Sequence, residues 1–311
     1  MSIQLYPLTF YPIYKEKIWG GRKLQELFDR QLPAGLIGES WDVAAHSNGT
    51  SVVVDGPLAG KNLGELVSSY GRDLVDVDTF PLLVKLIDAQ QDLSVQVHPD
   101  DVYVKNHTNE RWGKTEWWYV IYADPGAWII WGLKPGVTKQ QFAKAVEAGG
   151  EEILACLNKV PVKPGEVYPI SAGLVHALGA GVVVAEIQQN SDTTFRIYDW
   201  DRLDETGQSR ELHVEQALET IDFSPYAIDR EYQLARCAQH FHVDVLERPQ
   251  ACMISKKERF EILTCFGGPA EVAWSGGKTV LACGQSCLLP ASFDNYVLSA
   301  QGVVLRSRTA R

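Results

Sequence analysis

The chain has 311 residues, 45% of them hydrophobic, which is enough apolar material for two cores or for one large core with an appendage. A formal net charge of −10 excludes a general affinity for nucleic acid or anionic membranes, since both demand clustered lysine and arginine, so an anionic substrate needs locally placed cations. The N-terminal stretch lacks the basic start and apolar run of a signal peptide, and nothing later approaches bilayer-spanning length. A cytoplasmic protein without nucleic-acid or membrane partners is expected, as a monomer or small homo-oligomer.

In chain order, short runs rich in valine, isoleucine, tyrosine and tryptophan between glycine, proline, asparagine and aspartate predict strands over 51–54, 82–87, 93–97, 116–122, 128–131 and 181–187. Two segments read as helical. Over 138–160, Thr138 and Gln141 form a capping box and Phe142, Ala145 and Val146 follow at helical spacing, until Gly149-Gly150 splits the segment into a pair of short helices. Over 211–221, Val214, Ala217, Leu218 and Ile221 share one face, and a linker is expected after them. From about Tyr232 strands resume over 240–246, 260–265, 270–274, 286–289 and 297–305. So many short strands with few helices predict a mainly β fold of sandwich or barrel type. Six cysteines without C-x-x-C spacing argue for reduced thiols rather than a disulfide framework.

The segment from Gly165 through Ser171 and Gly173 to His176 aligns without gaps on Gly284 through Pro290 and Ser292 to Asn295. The shared pattern resembles the second motif of cupin barrels, whose final histidine is a metal ligand. That resemblance implies two cupin-like (jelly-roll) β-barrels: a catalytic one over 1–230 with a small helical insertion near 138–160, and a C-terminal one over 231–311 in which Asn295 replaces the ligand.

Three residues point to a metal. In Ser94-Val-Gln-Val-His98-Pro, strand alternation puts Gln96 and His98 on one face, and Pro99 ends the strand where an interior opens to solvent; taken alone, His98 is as well read as a hydrogen-bonded structural histidine. Glu116 opens the apolar, aromatic run 116–122, where an unpaired carboxylate is costly and a cation favours its charged form, unless it sits just outside the strand in water. His176 follows a tight turn and precedes the glycine-rich segment Gly179 to Gly181. Two imidazoles, a carboxylate and the Gln96 amide leave positions open for water or substrate, as a catalytic metal requires; one Zn²⁺ per chain is favoured, with manganese, cobalt and iron also suited.

Further segments make a resemblance specific: Lys17-Ile-Trp19-Gly-Gly, Gly38-Glu-Ser-Trp41, Phe80-Pro-Leu-Leu-Val-Lys85, Gln96-Val-His98-Pro, Lys114-Thr-Glu116-Trp-Trp, Ala172-Gly-Leu-Val-His176 and Asn190 to Arg196. In this order, over about two-thirds of the chain, they resemble class I (zinc) mannose-6-phosphate isomerases, in what looks like the compact bacterial form. The resemblance implies Gln96, His98, Glu116 and His176 as metal ligands and Arg196 as the active-site arginine. It also implies interconversion of mannose 6-phosphate and fructose 6-phosphate, a C1–C2 proton transfer through an enediol-like intermediate.

No nucleotide-type loop is present to hold the phosphate, because Gly56-Pro-Leu-Ala-Gly60-Lys61-Asn62 has the wrong spacing. Side-chain cations must serve. Arg196 alternates with Thr194, Tyr198 and Trp200 along a predicted strand, and either projects into the cavity or pairs with Asp199 or Asp201. Lys114 shares the face of Glu116 and is the second catalytic candidate; Lys85, Glu39 and Trp19 are candidates for substrate binding. The proton-shuttling base stays open among Lys114, Glu39, Asp42 and metal-bound hydroxide. Two other readings of the same residues are an iron-dependent cupin dioxygenase and a non-catalytic sugar-phosphate-binding cupin.

Overall fold

Residues that combine β-branched and aromatic side chains with turn-forming neighbours fold into antiparallel strands throughout. The structure, a computed structural model, describes residues 4–203, 207–256 and 258–310. It is mainly β, as expected, with four large sheets stacked as two cupin-like sandwiches. The outermost has five strands in the order Leu157–Pro161, Trp128–Leu133, His176–Leu178, Val95–Val97, Phe195–Tyr198. The next has six: Val167–Ile170, Glu116–Ala123, Val182–Gln189, Leu82–Ala89, Ile37–Val43, Ile13–Gly21. A third, also of six, runs Phe241–Glu247, Val303–Thr309, Glu261–Phe266, Ser286–Leu289, Leu8–Tyr11, Val52–Val53; the fourth joins Cys252–Ser255, Asn295–Ala300, Ala270–Trp274 and Gly277–Leu281. Among the described residues no helix is long and apolar enough to cross a membrane.

The second sheet is covered on both faces. Trp117, Tyr119, Val183, Ala185 and Leu86 pack against Ile262, Phe266, Leu288 and Leu305 of the third, while Trp118, Val120, Val184 and Ile87 pack against Ile129, Trp131 and Leu178 of the first. Burial on two faces explains why 182–189 is buried at every position and opens on the apolar run 182–185 rather than alternating. At one end of the space between the first two sheets the apolar filling stops, and Glu39, Lys85, Glu186 and Glu116 take over. Cross-strand register lines them up: Lys85 stands opposite both Trp41 and Glu186, and Glu116 opposite Gln188. That charged end positions the site.

The internal repeat is matched in three dimensions. Gly165 and Gly284 donate their N–H groups to the carbonyls of Val120 and Cys265 (2.8 and 2.7 Å), and Leu174 and Phe293 donate to Ser171 and Pro290 (3.1 Å each). Each copy is a strand, a turn and a strand at the same offsets.

Three expectations need correction. The segment 138–160 is helical only to Cys156: helices Lys139–Ala148 and Gly150–Cys156 break at Gly149 (φ 74°), and Leu157–Pro161 is an edge strand on Trp128–Leu133. Instead of a linker after 211–221, a helix Arg230–Cys237 follows, capped by the Asp229 carboxylate and anchored by Gln233, whose amide oxygen accepts from the Ser171 N–H (2.8 Å). The single strand over 297–305 is two, Asn295–Ala300 and Val303–Thr309, in different sheets. The reversal needs Gly302, where a Cβ would lie 1.9 Å from the Phe266 carbonyl oxygen.

Candidate metal centre and substrate cavity

His98 lies just past the strand Val95–Val97, Glu116 opens the strand Glu116–Ala123, and His176 opens the strand His176–Leu178 directly opposite Gln96. The sheet pairings bring the three together in full burial. One donor atom from each lies within 4.8 Å of the others. His98 Nε2 is 3.0 Å from Glu116 Oε1 and 3.1 Å from His176 Nε2, and His176 Nε2 is 3.9 Å from Glu116 Oε2. Donors about 2.0–2.2 Å from a common ion stand roughly 3–3.5 Å apart, so the spacing fits a metal ion. Gln96 stands beside them, its amide nitrogen 3.3 Å from His176 Nε2, and a half-turn of the amide presents its oxygen instead.

The protonation states also suit a metal. Burial, with Lys114 second, pushes the His98 imidazole down to about 3, against the pull of Glu116. Burial likewise lowers His176, whose Nδ1 points at the Leu174 carbonyl (2.8 Å), leaving Nε2 free to ligate. Burial alone would raise Glu116, but Lys114 and His98 hold it well below the usual carboxylate range. Two neutral imidazoles and one carboxylate result. Lys114 Nζ sits 2.9 Å from Glu116 Oε1 and 3.2 Å from His98 Nε2, closer than shared strand face alone required.

Beside this centre opens a cavity of about 270 Å³ lined by Gln96, Lys114, Trp19, Lys85, Glu39 and Arg196, all singled out from sequence, and also by Lys17, Trp118, Glu186, Asp192, Thr194 and Arg210. Its wall is a chain of alternating charge. Lys17 bonds Glu39 (3.0 Å), Lys85 lies 3.8 Å from Glu39 and 3.4 Å from Glu186, and the Trp118 indole N–H donates to both Glu186 and Glu116 (2.9 and 3.0 Å). Burial opposes ionisation of Glu39, yet Lys85, Lys17 and the Trp41 indole bring its carboxyl down to about 2. Glu186 behaves oppositely: burial first, then the charge of Glu116, lift it to about 7. The sequence signal for Glu186 was the one that exposed Glu116, a carboxylate inside an apolar strand, and it was overlooked.

Arg196 does not alternate as expected. The strand slips register between Arg196 and Tyr198, so Thr194 and Arg196 face the cavity while Tyr198 joins the outer core. Nor does Arg196 bond Asp199 or Asp201; its Nη1 donates to the Glu211 carbonyl (2.6 Å). Asp42, weighed as a base, faces elsewhere, where Arg30 binds it through both terminal nitrogens (3.0 and 2.6 Å).

In the C-terminal copy, Glu261 stands opposite Leu289 as Glu116 stands opposite Ile170, but its carboxylate accepts from the Tyr296 hydroxyl (2.7 Å), and Asn295 is exposed.

Comparison with known proteins agrees with this geometry. Residues 8–114 match the family described as phosphomannose isomerase type I, catalytic domain. The mannose-6-phosphate isomerase ManA of Bacillus subtilis (strain 168) is 46% identical over 219 residues, 70% of this chain and 68% of that one. The protein YvyI of the same organism is 34% identical over 304 residues, 94% of this chain and 95% of that one. The crystal structure of the mannose 6-phosphate isomerase from Bacillus subtilis superposes with a TM-score of 0.86 at 31% identity, covering 97% of this chain and 99% of that one. Full-length identity at this level, together with the shared fold, decides the matter: this chain belongs to the type I mannose-6-phosphate isomerases.

Proposed function

We propose that the chain interconverts mannose 6-phosphate and fructose 6-phosphate at the cavity beside His98, Glu116 and His176. One observation carries the reading: three buried donor atoms converge within 4.8 Å against Gln96 and Lys114, which line a cavity walled by both lysines and carboxylates. The ligand set is His98, Glu116 and His176, with the Gln96 amide as a fourth donor. Two imidazoles with oxygen donors favour zinc, one ion per chain. When bound, the ion supplies a Lewis acid that polarises the sugar carbonyl and favours the enediolate.

The chain's own groups divide the remaining work. Lys114, buried against Glu116, offsets developing negative charge and holds a proton near the reacting oxygens. Glu186 is the favoured proton shuttle, because it lines the cavity beside Lys85, accepts from the Trp118 indole that also binds Glu116, and is held by burial above the usual carboxylate range, whereas Glu39 at about 2 stays ionised and serves to orient Lys17 and Lys85. Trp19 closes the wall against solvent. Arg196 meets the phosphate.

A coupled assay for fructose 6-phosphate formation tests this, run on fresh protein, after chelation and after return of Zn²⁺. Chelator-sensitive turnover restored by the ion is expected. Absent turnover, or turnover indifferent to chelation, overturns the reading; oxygen uptake would point instead to the dioxygenase.

A further inference from the structure

Among the described residues, the rim of the cavity carries more arginine than its neighbours neutralise. Asp199 accepts from Arg210 through Nε (2.7 Å) and Nη2 (2.5 Å), and from Arg202 through Nη2 (2.6 Å). Arg196 stands beside them with Nη1 on the Glu211 carbonyl and with Nε buried and unpartnered. Three guanidinium groups thus gather around one buried carboxylate, which binds two of them. The Glu211 carboxylate, 83% exposed, does not close the gap. The excess shows in the titration of both partners: burial, then Arg210, push Arg196 below its ordinary range, while burial opposes and the two arginine forks enforce a lowered Asp199.

Local backbone builds the cluster. Trp200 and Asp201 both take positive φ (58° and 53°), a left-handed pair that non-glycine residues adopt only when their surroundings fix it. Here the Trp200 indole N–H donates to the Leu93 carbonyl (2.7 Å) and its ring meets Trp128 edge-on. The reversal returns Arg202 to Asp199, and a bridge between Leu203 and Ser209 returns Arg210 to the same carboxylate.

Arg210 and Arg196 line the same cavity, together with Thr194. Arg210 Nη1 has no acceptor among the described residues. We propose that Arg210, clamped by Asp199, is a second phosphate-recognising arginine that acts with Arg196 to hold a sugar phosphate by its dianionic end. This rests on the isomerase reading above. A phosphate monoester carries about −1.5 to −2 charges at neutral pH, which matches the unneutralised excess, and its oxygens suit planar guanidinium forks. A neutral sugar offers nothing to these groups, so the pair sets specificity for the phosphorylated substrate. Asp199 is a positioning residue, since its oxygens already face the arginines.

The test compares wild type with Arg210→Gln, Arg210→Lys and Asp199→Asn, all zinc-loaded and checked for fold by circular dichroism. For Arg210→Gln, KM for mannose 6-phosphate should rise about 10- to 100-fold with kcat within about threefold, as expected for loss of a charge-assisted hydrogen bond to substrate. Inhibition by inorganic phosphate should weaken in parallel. Arg210→Lys and Asp199→Asn should fall between wild type and Arg210→Gln. Folded Arg210→Gln with unchanged KM and unchanged phosphate inhibition, or with loss confined to kcat, overturns the proposal. Titration calorimetry of inorganic phosphate reads the same site without turnover, so a wild type that binds phosphate through Arg210 but does not isomerise would defeat the isomerase reading alone.

Discussion

Replacing Lys85 with methionine tests whether the charged wall is held by its own pairing. Lys85 is 2% exposed, its Nζ lies 3.4 Å from Glu186 and 3.8 Å from Glu39, and it sits over the Trp41 ring at 5.2 Å. Methionine keeps the length of the side chain and removes the charge. The Glu39 carboxyl moves from 4.5 to about 2 on folding, against its burial and owing to Lys85 first and Lys17 second, which amounts to on the order of 3 kcal/mol. A depressed carboxylate contributes fully above its unfolded range and loses that contribution as pH falls through its folded value. In Lys85→Met both Glu39 and Glu186 titrate higher than before, so each destabilises the variant at neutral pH and is relieved on acidification. Urea unfolding should therefore show a loss of about 3 kcal/mol at pH 7.5 and a clearly smaller loss at pH 3, inside the window between the unfolded and folded values of Glu39. A loss below about 1 kcal/mol at pH 7.5, or equal losses at both values, refutes the argument.

Glu116→Gln should retain the fold yet bind Zn²⁺ at least about 100-fold more weakly, read by emission spectrometry of the dialysed protein; full zinc content would remove Glu116 from the ligand set. Asp88 accepts from the Lys23 N–H at a helix start (2.7 Å), while its other oxygen is buried without a partner, and burial lifts its carboxyl to about 6. A raised carboxylate costs stability as pH climbs through that value, so Asp88→Asn, which still caps, should stabilise by about 1–2 kcal/mol at pH 8 and not at pH 4 in thermal melts. Gly302→Ala should destabilise by at least about 2 kcal/mol, because the new Cβ would meet the Phe266 carbonyl; an unchanged melting temperature would show that the turn can move.

What the sequence revealed follows a physical pattern. His98, Glu116 and His176 stand out because each is a ligating group where local pattern asks for an apolar one, and folding buries all three. Lys114 and Arg196 followed from neighbours in the same motifs. Arg210 gave no local sign, since its meaning lies in the Asp199 carboxylate eleven positions away. The edge strand Ile13–Gly21 was equally silent: its first half carries Lys15, Glu16 and Lys17 in a partly exposed setting that resembles a loop. The run 297–305 read as one strand because valine and leucine lie on both sides of Gln301-Gly302, and only the glycine marks the reversal.

The strand Leu8–Tyr11 lies between Ser286–Leu289 and Val52–Val53 in the third sheet, with Leu8 and Phe10 buried. During synthesis this segment emerges long before Ser286–Leu289, one of its two hydrogen-bonding neighbours. That sheet therefore cannot close until Ser286–Leu289 has been made, and its apolar edge must wait uncovered in the interval. A ribosome stalled before Ser286 would release a chain in which the strand Leu8–Tyr11, rather than the truncated end, is the adhesive part.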